Sequence, residues 1–116
     1  MPRLYKSFAE FWPFYLREHK RAGTRALHHA GTSLVVLLIL GAALSGRWAL
    51  LAAIPIAGYG FAWAAHAAIE RNRPATFTYP LWSLAADFRM WALWLTGRLG
   101  SELERAGVTR ENRHGR

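Results

Sequence analysis

The run Ser33-Leu34-Val35-Val36-Leu37-Leu38-Ile39-Leu40 decides the fold. It lies within residues 26–46, which contain no Asp, Glu, Lys or Arg and are bounded by Arg25 and Arg47. A second charge-free stretch, 48–69, follows and ends at Glu70. A helix of about 20 residues rises roughly 30 Å, enough to cross a hydrocarbon core. The alternative is two buried helices of a soluble bundle. Two apolar cylinders would then need partners on every side, and 116 residues leave little chain to supply them. Both stretches are therefore expected to span a membrane. Ser45-Gly46-Arg47 reads as a tight turn, which makes the two spans an antiparallel hairpin.

Outward from the hairpin, the chain turns basic. Arg3, Lys6, Arg17, Lys20, Arg21 and Arg25 precede it, Arg71 and Arg73 follow it, and the turn carries only Arg47. The positive-inside rule places both hairpin ends in the cytoplasm. Phe8, Phe11, Trp12, Tyr15, Leu16 and His19 fall on one helical face, with Lys6, Glu10, Arg17 and Lys20 off it. This reads as an amphipathic helix lying in the membrane interface, its aromatic stripe forming an interface belt. Pro13 opens or kinks it. Thr24 is expected to cap the first span. Residues 72–76 read as a loop. Pro80 to Leu99 is again helical, with Leu81, Leu84, Phe88, Trp91, Leu95 and Leu99 on one stripe. Asp87 and Arg89 in its middle oppose insertion by roughly 2.5–3.5 kcal/mol each. That helix is expected to lie in the interface or pack on the hairpin, with a third crossing as the alternative. The fold class is thus all-α: a single helical membrane domain over 1–100, followed by a polar, frayed tail over 101–116.

Composition closes off other classes. Hydrophobic residues make up 53% of the chain, which excludes disorder, and the lack of Cys excludes disulfide scaffolds and thiolate metal sites. The net charge of +8 invites a nucleic-acid reading. However, the cations flank apolar helices instead of lining one face, and attraction to anionic lipid accounts for them. The mean hydropathy of +0.03 averages charge-free helices with basic ends. No phosphate-binding loop, dinucleotide fingerprint, nucleophile elbow or His-Glu-x-x-His motif is present.

The chemistry-bearing residues are histidines. His28 lies 19 residues before Arg47 and His66 lies 19 after it, so a hairpin sets them at similar depth. His19 ends the stripe of the preceding helix. Three imidazoles can therefore converge, and imidazole suits Zn, Cu, Fe and Ni. Glu70 shares a helical face with His66 and sits against the macrodipole at a helix C-terminus, so it needs a compensating partner. Asp87 is the other carboxylate at this depth. Two or three His with one carboxylate is the ligand set of non-haem Fe(II) oxygenases. Two other readings stay open: a structural or lipid-binding bundle whose His serve packing, and haem ligation by His28 and His66. His29 points about 100° from His28, so the two are not expected to share a metal.

The motifs Phe14-Tyr15-Leu16-x-Glu18-His19, Leu27-His28-x-x-Gly31-Thr32, His66-x-x-x-Glu70-x-Asn72-Arg73-Pro74-Ala75-Thr76-Phe77 and Pro80-Leu81-Trp82-Ser83-Leu84-x-x-Asp87 carry a resemblance. The chain resembles, from about Phe11 to Leu99, a family of small membrane proteins that includes the fungal 2-hydroxy fatty acid dioxygenase. It is most similar to the family's short bacterial branch. The resemblance implies a multi-helix protein, here of a bacterial inner membrane, with Fe(II) as cofactor and one-carbon shortening of a 2-hydroxy fatty acid as reaction. It carries metal ligation over to His19, His28 and His66, while His29 departs from the family pattern. Glu70 or Asp87 is then expected as a fourth ligand or as an acceptor orienting an imidazole. Arg73 or Arg25 is expected to meet the substrate carboxylate. The expected partners are the bilayer, a fatty-acid substrate and a second copy of the chain, with no nucleic acid.

Overall fold

The computed structural model describes residues 4–73 and 78–108. Arg3, positions 74–76 of the expected loop and the tail beyond 108 lie outside the described residues. The elements are α1 (Phe8–Arg17), α2 (Ala22–Ser45), a 3₁₀ segment (Trp48–Ala53), α3 (Ile54–Ala65), a π-helical turn (His66–Glu70), α4 (Pro80–Leu95) and α5 (Leu99–Arg105). No strand occurs among the described residues.

Ser7 starts α1, its Oγ accepting from Glu10 N at 3.2 Å, while Glu10 Oε1 accepts from Lys6 N at 3.1 Å. This is a close variant of the capping box. Pro13 sits inside α1 without ending it. Gly46 closes α2 in the left-handed region (φ 73°), which glycine adopts without a Cβ clash, and its N–H bonds Ala42 O at 2.9 Å. The chain then doubles back. At Gly31 the two long helices approach closely, since a Cβ there would lie 3.0 Å from Ala57 O and from Phe61 Cβ.

Ala22–Ser45 and Trp48–Glu70 are each long and apolar enough to cross a membrane. Only 33% and 17% of their most apolar windows are buried. Leu37, Leu40, Leu44, Trp48 and Ile56 are bare on the outside. By contrast, α4 has 16 residues and rises about 24 Å, short of a hydrocarbon core. It packs along α1, α2 and α5. Trp91 Nε1 donates to Ser33 Oγ on α2 at 2.9 Å.

Two expectations are corrected. The aromatic stripe of α1 is not an interface belt: Phe11, Trp12, Tyr15 and Leu16 are buried in the main core with Tyr79, Ala86, Met90, Leu99 and Leu103. The chain after Ser101 is not frayed throughout, because α5 runs to Arg105, and Leu103 and, just beyond the helix, Ala106 and Val108 are buried in the same core. The two corrections are linked, since α5 together with α4 covers α1, and Trp12 Nε1 donates to Glu102 Oε1 at 2.8 Å. On α4 the expected stripe faces outward at Leu81, Leu84 and Leu95, while Ser83, Ala86 and Met90 are buried. Arg89 lies over the Trp12 ring at 4.5 Å and 3.8 Å from Glu102, so it points to protein.

This division sets a stability contrast. Leu103→Ala should cost about 2–5 kcal/mol, as a cavity in a packed core does. Leu44→Ala, at an 87% exposed position, should change stability by less than about 0.5 kcal/mol in detergent. Thermal unfolding in detergent, followed by circular dichroism, checks both.

Candidate metal centre

His19 lies just past the end of α1, His28 lies two turns into α2, and His66 opens the π turn after α3. Their Nε2 atoms form a triangle with sides of 3.1 Å (His19–His28), 3.3 Å (His28–His66) and 3.0 Å (His66–His19). All three side chains are buried, His19 and His66 at 1% exposure.

The outer nitrogens explain how the rings are held. His19 Nδ1 lies 2.6 Å from the Tyr15 carbonyl oxygen, which can only accept, so the proton sits on Nδ1. His66 Nδ1 lies 2.6 Å from Asn72 Oδ1. Asn72 Nδ2 donates to Glu18 Oε1 at 3.1 Å, which fixes the amide the same way round. His28 Nδ1 faces Asp87 Oδ1 at 3.6 Å, and the carboxylate's charge favours a proton on that side. Asp87 is held in turn by a hydrogen bond from the Tyr15 hydroxyl. With the His28 proton on the Asp87 side as well, three Nε2 lone pairs point at one another. Burial and the neighbouring His28 and His66 hold His19 well below the usual imidazole range, so it stays neutral. Burial and the adjacent Asp87 push the Tyr15 hydroxyl up, so it remains a donor.

Three converging acceptors with no donor between them suit a cation. Nitrogens about 2.1 Å from one ion lie roughly 3.0 Å apart at right angles and 3.4 Å apart at tetrahedral angles. The observed sides fall within that range, and the three imidazoles are the set able to hold a metal among the described residues. The same geometry removes haem ligation. Two axial imidazoles must stand on opposite faces of a macrocycle, whereas nitrogens 3.3 Å apart, with a third against both, leave no plane between them.

The other expected residues are placed as follows. Asp87 stands behind His28 and orients it instead of joining the triangle. Glu70 belongs elsewhere: its Oε2 accepts from Arg21 N and Thr24 Oγ1, both at 2.8 Å. It thereby caps the start of α2, which supplies the partner its own helix end withholds. Thr24 is therefore not the N-cap; Arg21 occupies that position. Arg25 is 8% exposed, and its Nη1 donates to the carbonyls of His19 and Lys20 at 2.8 and 2.7 Å, clamping the α1–α2 connection. Arg73 is exposed and follows Asn72 out of the π turn. His29 stacks on Trp94 with ring centroids 4.4 Å apart, away from the triangle.

Tyr15, Asn72 and Glu18 hold the centre, and none was assigned this role from the sequence. The signal for Tyr15 was its place four residues before His19 on one helix face. Asn72 gave no such signal, because its position depends on the local backbone. The π turn widens the helix at His66, a feature common at functional sites. Arg71 then adopts the left-handed region (φ 61°), uncommon for a residue with a Cβ. That reversal brings Asn72 N to His66 O at 3.0 Å and its side chain to His66 Nδ1.

Asn72→Ala should weaken metal affinity about 10–100-fold, the usual cost of losing an orienting partner. Glu70→Ala should leave affinity within about two-fold and cost stability by about 0.5–2 kcal/mol, as loss of a cap does. Chelator competition with Fe(II) and with Co(II), alongside thermal unfolding, separates the two effects.

Neither a curated protein nor a solved structure matches the chain. One family model does, over residues 5–99, a span that holds the three imidazoles and every residue orienting them. The chain belongs to that family, the 2-hydroxy-palmitic acid dioxygenase Mpo1-like proteins.

Proposed function

We propose that this protein is an Fe(II)-dependent membrane dioxygenase that shortens a 2-hydroxy fatty acid by one carbon. One observation carries the reading: three buried Nε2 atoms converge, and the rings of His19 and His66 turn their Nδ1 protons outward to Tyr15 O and Asn72 Oδ1. The family supplies the reaction class at a coarse level. Iron is favoured over zinc because oxygen chemistry needs a redox-active ion and zinc has no redox chemistry. The bare apolar flanks of both long helices and the basic residues at the hairpin ends support a bilayer setting, with those ends on the cytoplasmic side of a bacterial inner membrane.

The reaction balances with dioxygen alone. A 2-hydroxy acid, R–CH(OH)–COOH, and O₂ give R–COOH, CO₂ and H₂O. The C1–C2 bond breaks, C1 leaves as CO₂, C2 becomes the new carboxyl carbon, and O₂ takes up four electrons. His19, His28 and His66 would hold a ferrous ion, which would supply the redox-active centre that dioxygen chemistry needs. The protein's own part is to hold that centre rigid and dry. Tyr15 O, Asn72 Oδ1 and Asp87 keep the imidazole protons outward, so all three Nε2 atoms stay free to bind. The Tyr15 hydroxyl fixes Asp87, and the packed rings of α1 exclude water from one side.

The test uses protein purified in mild detergent and loaded with Fe(II) without oxygen. It should take up iron with no Soret band. With 2-hydroxypalmitate and O₂ it should release pentadecanoate and CO₂, and His28→Ala and His66→Ala should lose both iron and product. Failure of the wild-type chain to take up iron would overturn the reading.

A further inference from the structure

A cavity of about 250 Å³ opens between α2, α3 and α4. One end is formed by His28 and Asp87, the imidazole of the triangle and the carboxylate behind it. The remaining wall is mostly apolar and includes Val35, Ile54, Gly58, Leu84 and Phe88. His28, Thr32 and Val35 follow one another at i, i+4 and i+7, so this wall runs about 10 Å along α2 from the imidazole. Across from Val35 stands Gly58. A Cβ at that position would lie 3.6 Å from Val35 Cγ2, so the missing side chain is part of what keeps the space open. Tyr59 and Leu84, 41% and 48% exposed, stand at the rim, on the outside where the long helices show their bare apolar side chains. A larger cavity, between α2, α4 and α5, touches Arg25 and His29 but none of the three imidazoles.

We infer that the cavity between α2, α3 and α4 receives the head and the first carbons of the substrate's hydrocarbon chain, head at His28 and Asp87, chain running past Val35 and Gly58, and that these last two residues set the preferred chain length. The inference rests on the proposed reaction. Its occupant follows from the lining: a charged end, placed at the metal centre, and a mostly apolar wall, with Thr32 and Tyr59 as its other polar residues, admit an amphiphile in one orientation. Entry is sideways, past Tyr59 and Leu84. A chain that arrives from lipid gains little hydrophobic energy on entering, because lipid tails are as apolar as leucine. Discrimination among chain lengths therefore falls to shape, and shape is set where Val35 and Gly58 face each other.

The experiment compares saturated 2-hydroxy acids from eight to eighteen carbons on iron-loaded wild type, Val35→Phe and Gly58→Ala. Both variants should keep full iron content and shift preference toward shorter acids. For Val35→Phe, the ratio of long-chain to short-chain turnover should fall at least ten-fold. An unchanged profile in variants that hold iron overturns the inference. Leu84→Trp, at a half-exposed position that tolerates bulk, guards against misfolding of the core variants. It should slow entry of every acid alike.

If the wild type turns over no 2-hydroxy acid, the proposed reaction fails, and the cavity is judged separately. A 2-hydroxypalmitate bearing a diazirine among the first carbons of its chain is then photolysed with the protein in detergent. Labelling of the peptides that contain Val35 or Gly58, lost in Val35→Phe, supports the site. Labelling confined to other peptides overturns it.

Discussion

A neutral imidazole has one N–H to give. In this chain His19 gives it to the Tyr15 carbonyl and His66 to the Asn72 amide oxygen, while His28 turns Nδ1 to Asp87. The remaining nitrogens are then obliged to meet as acceptors. That arrangement is unfavourable among neutral rings and favourable around a cation, so the outer partners determine what the inner face can do. The outer partners come from different parts of the fold. Tyr15 belongs to α1, Asp87 to α4, and Asn72 to the segment after the π turn. The packing of the helices is thus the means by which three protons are kept out of one small volume.

Tyr15 joins the two halves of this arrangement. Its carbonyl orients His19, and its hydroxyl orients the carboxylate facing His28. It is also a core residue, stacked on Trp12 at 5.7 Å between centroids. Trp12 in turn is tied to Glu102 on α5. The last described helix therefore reaches the metal centre through two aromatic rings. The long helices contribute otherwise: they supply His28 and His66, meet tightly at Gly31, and leave their outer faces apolar.

What the sequence disclosed follows from its periodicities. The charge-free runs on either side of Arg47 announced two long helices, and the equal spacing of His28 and His66 about that turn placed them side by side. The stripe from Phe8 to His19 identified the apolar face of α1, but periodicity says nothing about what covers a face. Lipid was the expectation; the cover is α4 together with α5. The signal for α5 was faint, because Leu99, Leu103 and Ala106 supply few apolar positions in a polar segment. Glu70 was recognised as needing a partner, yet that partner is the start of another helix, which local spacing does not reveal. Asn72 lay beyond reach because six residues separate it from His66. Only a π turn ended by a left-handed Arg71 brings such an offset back onto the same ring.

His19, His28 and His66 each sit on a different element, nine and 38 residues apart along the chain. No fragment that folds locally contains the triangle. The hairpin by itself has two corners, and α1 has none until it docks. An ion gripped by all three would therefore act as a cross-link across a 47-residue separation, in a chain without a single cysteine to form one. Closing so long a loop in the unfolded chain is entropically costly, and holding it closed favours the folded state. The centre would thus be a clasp as well as a reaction site, fastening the amphipathic first helix to the two apolar ones.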